Sequence, residues 1–193
     1  KKITDIYSDK LTHFLRYKND SLLISYKTLN KDNPKLNCRI EGLTKFSPKR
    51  IILDNNLEMK TNSYIFKTIK ANNTIIFYKN ADRSKVLLFK KKGVQLIKSN
   101  LINNKYFDLK LILKKLYKLG CRNLLVEGGN DLSKSILKNR LFNQFYLFKS
   151  PKPLSKLVPH KDFNCFKYLS QNYKSKQKIN TKLGIDLIIL YKK

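Results

Sequence analysis

The sequence predicts an α/β protein: a three-layer, mostly parallel mixed sheet with helices on both faces and a C-terminal antiparallel hairpin. Two observations carry this. Short apolar runs bounded by turn residues recur at 21–26, 50–54, 74–78, 94–97 and 123–127, as buried parallel strands do. Segments with helical spacing lie between several of them, the alternation that builds a parallel sheet. The chain has 193 residues, enough for one domain with a real core, or at most one large and one small domain, and 41% of them are apolar.

The elements follow in order. Residues 5–18 read as a helix, with Tyr7, Leu11, Phe14, Leu15 and Lys18 on one side and Thr4 or Asp5 as the cap. Ser21 to Tyr26 is a buried strand, and Lys31-Asp32-Asn33-Pro34 is a turn signal. Arg50–Asp54 and Thr74–Tyr78 are strands. Residues 83–92 form a helix closed by Gly93, and Val94–Ile97 is the next strand. Asp108–Leu119 is an amphipathic helix with Leu109, Ile112, Leu113, Leu116 and Tyr117 on one side, closed by Gly120. Asn123–Glu127 is a strand, Gly128-Gly129 turns the chain, and Asn130 or Asp131 caps a helix containing Leu132, Ile136, Leu137 and Leu141. Phe145–Phe148 is a strand. A polar stretch, 171–182, and the run Gly184–Tyr191 form the closing hairpin.

The charge is large, with 42 Lys+Arg against 13 Asp+Glu, a formal net charge of +29. Such a balance first suggests nucleic acid. However, the basic residues are 36 Lys and six Arg, and Asn (20) and Ile (18) are also abundant, as AT-rich codons would produce in any protein. The basic residues are scattered, whereas nucleic-acid binders favour Arg concentrated on one face. No apolar stretch reaches the ~18 residues of a membrane-spanning helix, and no signal peptide opens the chain. Cys38, Cys121 and Cys165 lie far apart without a C-x-x-C pair, and the histidines are His13 and His160, a set that argues against disulfides and structural zinc. A reducing, cytoplasmic setting is expected. The chain opens on Lys1 rather than Met, so we expect a fragment or processed piece.

Two constellations stand out. In Leu124–Asp131 a buried strand ends in an acid, Glu127, followed by two glycines and a helix start. In open α/β sheets ligands sit at the carboxyl ends of strands, where glycines admit a phosphate and a helix N-terminus favours it. An ordinary β–α turn with a solvated acid would read the same. The second cluster is Arg16, Thr28, Asp32 and Arg39, which holds two of the six arginines, and an Arg fork grips phosphate as Lys does not. Asp32 is also explained as a turn-capping acid. His13 and His160 are read as packing or surface residues, and the cysteines as small hydrophobes.

Taken together in order, these pieces resemble the C-terminal reductase domain of the bifunctional riboflavin-biosynthesis deaminase-reductase, which has a dihydrofolate-reductase-like fold. The resemblance rests on Ile3-Thr4-Asp5, Arg16, Asp20–Ile24, Thr28, Asp32-Asn33-Pro34, Leu36, Arg39, Pro48–Asp54, Leu124–Gly129, Leu132, Leu141, Pro151-Lys152 and Gly184-Ile185-Asp186. It spans nearly the whole chain. It implies NADPH-dependent reduction of 5-amino-6-(5-phosphoribosylamino)uracil to its ribitylamino counterpart, by hydride transfer to the ribosyl C1. Carried over by position, Arg16, Leu36, Arg39 and Glu127 contact substrate. Thr28, Asp32, Asn55 and the turn of Gly129, Asn130, Asp131, Leu132, Ser133, Lys134 and Ser135 contact the dinucleotide. Glu127 and Asp32 are the acids available for proton movement, and no metal is implied. A homodimer is implied too, with the apolar run 185–191 as a candidate for pairing across its interface.

The sequence departs from the family at several positions. The family's first strand would precede Lys1, Lys2 stands for a common Trp, Asn33 for a second Asp, and Asn143-Gln144 for an Asp-Glu pair. We therefore expect residues 1–193 to be a single reductase domain lacking its first strand and an upstream zinc deaminase domain. The His-x-Glu and Pro-Cys-x-x-Cys motifs of that deaminase do not occur in the chain. A basic nucleic-acid-binding module, and a related reductase with another substrate, are the competing readings.

Overall fold

In a computed structural model, the structure describes residues 5–70, 73–151, 165–180 and 184–193. Lys1, Lys2, Ile3, Thr4, Lys152 and His160, named above, and the end of the polar stretch 171–182 lie outside the described residues. The chain folds as two compact units, one of residues 13–132 and one of 1–12 with 133–193.

Helix α1 runs Ile6–Lys18, and Asp5 caps it: its Oδ1 accepts the Ser8 amide at 2.7 Å. The expected apolar stripe is not its buried face. Phe14 is 42% exposed, whereas the polar Ser8, His13 and Arg16 are buried. The Ser8 hydroxyl donates to Asp186 Oδ2 at 2.7 Å, His13 and Arg16 have partners described below, and a satisfied polar group tolerates burial.

The unit of residues 13–132 is built on a five-stranded parallel sheet of β1 (Ser21–Ser25), β2 (Lys49–Leu53), β3 (Thr74–Tyr78), β4 (Gln95–Lys98) and β7 (Leu124–Val126). Their order is β4-β3-β2-β1-β7, so β1 is flanked by β2 and β7. Leu22, Ile24, Ile52 and Ile76 pack on Leu29, Ile65 and Phe89 of the helices α2 (Tyr26–Asp32), α3 (Tyr64–Lys67) and α4 (Arg83–Lys91). Side chains alternate along a strand, so Leu23, Ile51 and Phe77 face the other way, and they are buried as well. Both sheet faces are therefore covered, which is why the strands read as unbroken apolar runs. A short hairpin of β5 (Leu101–Ile102) and β6 (Tyr106–Phe107) turns through Asn103 and Asn104, both at positive φ, as Asn tolerates. Helix α5 (Leu109–Lys118) is capped by Asp108, whose Oδ1 accepts the amides of Lys110 and Leu111, and it buries Leu109, Ile112 and Leu116.

Three segments of this unit differ from the sequence reading. The stretch before Asp32-Asn33-Pro34 is helix α2, and the turn signal is its stop. Asn33 sits in the left-handed region (φ 43°) and its amide donates to the Leu29 carbonyl. Helix α3 and the β5–β6 hairpin were not legible from periodicity, since each is too short to show one.

Helix α6 runs Asn130–Lys138. In the unit of residues 1–12 and 133–193, β8 (Gln144–Lys149), β9 (Lys176–Ile179) and β10 (Leu187–Lys192) form an antiparallel sheet in the order β8-β10-β9. The closing hairpin is β9–β10, with Ile188 opposite Ile179. Its core holds Leu137, Tyr191 and Leu169 of helix α7 (Cys165–Asn172), an element the sequence reading lacked. Both edges of β10 are taken, by β8 and β9, so the run 185–191 has no free edge for pairing across an interface. Among the described residues no helix is long and apolar enough to cross a membrane.

Candidate active site at the carboxyl ends of β1 and β7

The strand order places a switch point beside β1. Strands β2, β3 and β4 extend the sheet to one side and β7 to the other. Crevices that take ligands in open α/β sheets form at such a reversal, outside the carboxyl ends of the strands. At the end of β1, Ser25 caps α2: its Oγ accepts the Thr28 amide at 3.4 Å and lies 3.2 Å from the Thr28 hydroxyl. At the end of β7, the Glu127 amide donates to the Leu23 carbonyl at 3.0 Å and carries the pairing one residue further.

Space is short at the two glycines that follow, most of all at Gly128. A Cβ on Gly128 would lie 2.9 Å from Leu132 Cβ, and one on Gly129 would lie 3.1 Å from the Thr28 hydroxyl oxygen. Gly129 and Thr28, 101 positions apart by number, thus meet at the start of α6. Asn130, Asp131 and Leu132 form the first turn of that helix, and Ser133, Lys134 and Ser135 continue it.

Glu127 is held by Arg16. The Arg16 Nε and Nη2 donate to Oε1 and Oε2, each at 2.7 Å, and Nη1 donates to the Asn37 carbonyl at 3.2 Å. Arg16 is buried, 8% exposed. His13, on the same helix, accepts the Arg39 amide on Nδ1 at 3.2 Å. Its placement agrees with a packing role. The Arg39 guanidinium is exposed and, among the described residues, donates to Asn37 Oδ1 at 3.3 Å. The segment 37–39 therefore ties both arginines to one place. Sequence reasoning missed Ser25 and Asn37, whose signal was only their adjacency to Thr28 and Arg39.

The other expected residues are more dispersed. Leu36 has positive φ (53°) and its side chain is in the core, so its backbone is what it can offer a ligand. Asp32 is exposed at the far end of α2, about 6 Å along the helix axis from Thr28. It bonds to none of Glu127, Arg16 or Arg39. Asn55 follows β2, and its carbonyl accepts the amides of Lys79 and Asn80, joining the ends of β2 and β3. A depression of about 300 Å³ opens there, lined by Asn56, Asn80, Ala81, Asp82 and Lys85.

The loop after β2 is shaped by the fully buried Asp54. Its two oxygens accept the Glu58 and Met59 amides, each at 2.8 Å. Burial pushes the Asp54 carboxyl above its usual range, while these amides pull it back. The Tyr26 hydroxyl is pushed up to about 12, chiefly by its hydrogen bond to Glu58. Among the described residues no group of three His, Cys, Asp or Glu is placed to hold a metal ion.

Residues 1–159 match the RibD C-terminal domain family. The chain is 34% identical over 193 residues to the riboflavin biosynthesis protein RibD of Aquifex aeolicus, covering all of this chain and 52% of that protein. It is 29% identical over 150 residues to a 5-amino-6-(5-phosphoribosylamino)uracil reductase of Buchnera aphidicola, covering 72% of this chain and 69% of that protein. Among solved structures, RibD of Acinetobacter baumannii superposes with a TM-score of 0.75 at 19% identity, covering 100% of this chain and 52% of that one. That likeness shows the fold. The chain spans about half the length of the RibD proteins it matches.

Proposed function

The chain belongs to the RibD C-terminal domain family, and on that premise we propose that it reduces 5-amino-6-(5-phosphoribosylamino)uracil to the ribitylamino compound, with NADPH as the electron donor. The observation that carries this is the switch point: a helix N-terminus at Gly129, crowded by Thr28, follows the half-buried Glu127 and its buried Arg16 partner. The Gly129 cradle, which a Cβ would fill, and the amides of the first turn of α6 suit a dinucleotide phosphate. Thr28, Asp32, Asn55 and the turn from Gly129 through Asn130, Asp131, Leu132, Ser133 and Lys134 to Ser135 would hold the cofactor. When bound, it supplies the hydride.

The remaining chemistry belongs to the substrate and this chain. The ribosyl C1–O bond must break to give an imine, with the ring oxygen taking a proton, before C1 is reduced. Glu127 would accept a hydrogen bond from the pyrimidine or a ribose hydroxyl, and it or Asp32 would hold the proton in transit. Arg39 offers its fork to the substrate phosphate. Fixing the open-chain ribose against the cofactor is the larger contribution, since orientation removes an entropic barrier. We take residues 1–193 to be a reductase domain, and the full-length protein to be a cytoplasmic homodimer with an upstream deaminase domain.

The test is NADPH absorbance at 340 nm with the full-length protein and the ribosylamino substrate. Consumption that depends on substrate supports the reading. No consumption, together with salt-resistant binding to one oligonucleotide sequence, would overturn it in favour of nucleic-acid recognition.

A further inference from the structure

The pair Arg16–Glu127 is more than a neighbouring of two substrate contacts. Arg16 directs one donor at each oxygen of Glu127 and a third at the Asn37 carbonyl. Its side chain is 10% exposed, against 25% for Glu127. A phosphate seeking this fork would have to displace a bidentate carboxylate or sit against its negative oxygens. Arg39, bound to the same Asn37, is exposed and has a fork engaged by one long bond. The two arginines are thus not equivalent. An ionised carboxylate has about four lone-pair sites; Arg16 takes one on each oxygen, which leaves the outer sites of the more exposed partner for a donor from the substrate. Lys cannot do this, since an ammonium is one compact charge without the planar fork. That explains an Arg here in a chain that mostly uses Lys.

We propose that Arg16 is a positioning residue: it fixes the plane and the charge of Glu127 and leaves the substrate phosphate to Arg39. This rests on the reductase reading above. In the full-length enzyme, Arg16→Lys is expected to lower kcat at least ~10-fold, with the KM for the phosphorylated substrate changed by less than ~3-fold. Inorganic phosphate, used as a competitive inhibitor, should keep its inhibition constant. Arg39→Lys should do the reverse. Combining Arg16→Lys with Glu127→Gln should lower kcat no further than Glu127→Gln alone, as residues acting as a unit do. A rise of ~10-fold or more in KM and in the phosphate inhibition constant for Arg16→Lys, at unchanged kcat, would make Arg16 the phosphate clamp and overturn the proposal. So would additive losses in the double variant. If the wild type consumes no NADPH, the reductase reading fails on its own. Urea midpoints for the same variants then decide the pairing: additive shifts remove it, and non-additive shifts keep Arg16 as the holder of Glu127.

Discussion

Replacing Gly128 with Ala tests the geometry of the site most directly. Its new Cβ would meet Leu132 at Cβ (2.9 Å), Cγ (3.0 Å) and Cδ2 (3.1 Å). The closest of these atoms is fixed to the helix backbone, so no rotation of Leu132 relieves the contact; the first turn of α6 must move by a few tenths of an ångström. Overpacking of this kind costs about 1–3 kcal/mol. Ala also restricts the unfolded chain, which offsets about 0.4–1 kcal/mol. The net expectation is a loss of about 1–2 kcal/mol, or roughly 2–8 °C in melting temperature for a chain of this size. Because the movement falls where a dinucleotide phosphate would sit, NADPH affinity should fall at least ~10-fold, about 1.4 kcal/mol. Gly120→Ala is the control. Gly120 has φ +86° and nothing near its absent Cβ, so Ala there costs about 1–2 kcal/mol of backbone strain and should leave NADPH binding unchanged. Urea unfolding followed by circular dichroism, and NADPH titration by fluorescence, read the two quantities separately. A Gly128→Ala protein with wild-type stability and wild-type NADPH affinity would refute the close packing of Leu132 on Gly128.

Three further outcomes follow from other contacts. Asp54→Ala leaves the buried-side amides of Glu58 and Met59 without an acceptor, and urea midpoints should report a loss of about 2–4 kcal/mol, reduced from the sum of two orphaned donors by no longer burying a carboxyl. Tyr26 should titrate near 12 in an absorbance titration at 295 nm, and Tyr26→Phe should abolish that late step. Because its folded value is raised above the ordinary 10.0, the stability from its bond to Glu58 is whole below about pH 10 and is lost as pH rises toward 12. Arg39→Lys should raise the substrate KM at least ~10-fold while NADPH affinity changes little; steady-state kinetics like those of the wild type would remove Arg39 from the site.

The local elements of this protein were mostly legible in its sequence. Strands β1, β2 and β3 are buried on both faces and β7 is half-buried; each is an apolar run between turn residues, and such runs announce themselves. Helix α5 carries enough apolar positions at helical spacing to be read directly. Helix α2 does not: of its seven residues only Leu29 is buried, too few to make a period, and its stop at Asn33 read as a turn. The candidate site was legible as residue types, an acid before two glycines and two arginines in a lysine-rich chain. What each does was decided by contacts that sequence spacing cannot express. Arg16 and Glu127 are 111 positions apart, and only the placement of β7 beside β1 brings them together. The buried face of α1 holds His13 and Arg16, where periodicity alone assigned Phe14. The glycines were read as room for a phosphate, and the fold adds that Leu132 and Thr28 already fill the space where their side chains would be. Local propensity depends on neighbours within a few residues, so the sequence determined strands and helices, while pairing across the sheet decided which polar groups met and could be buried.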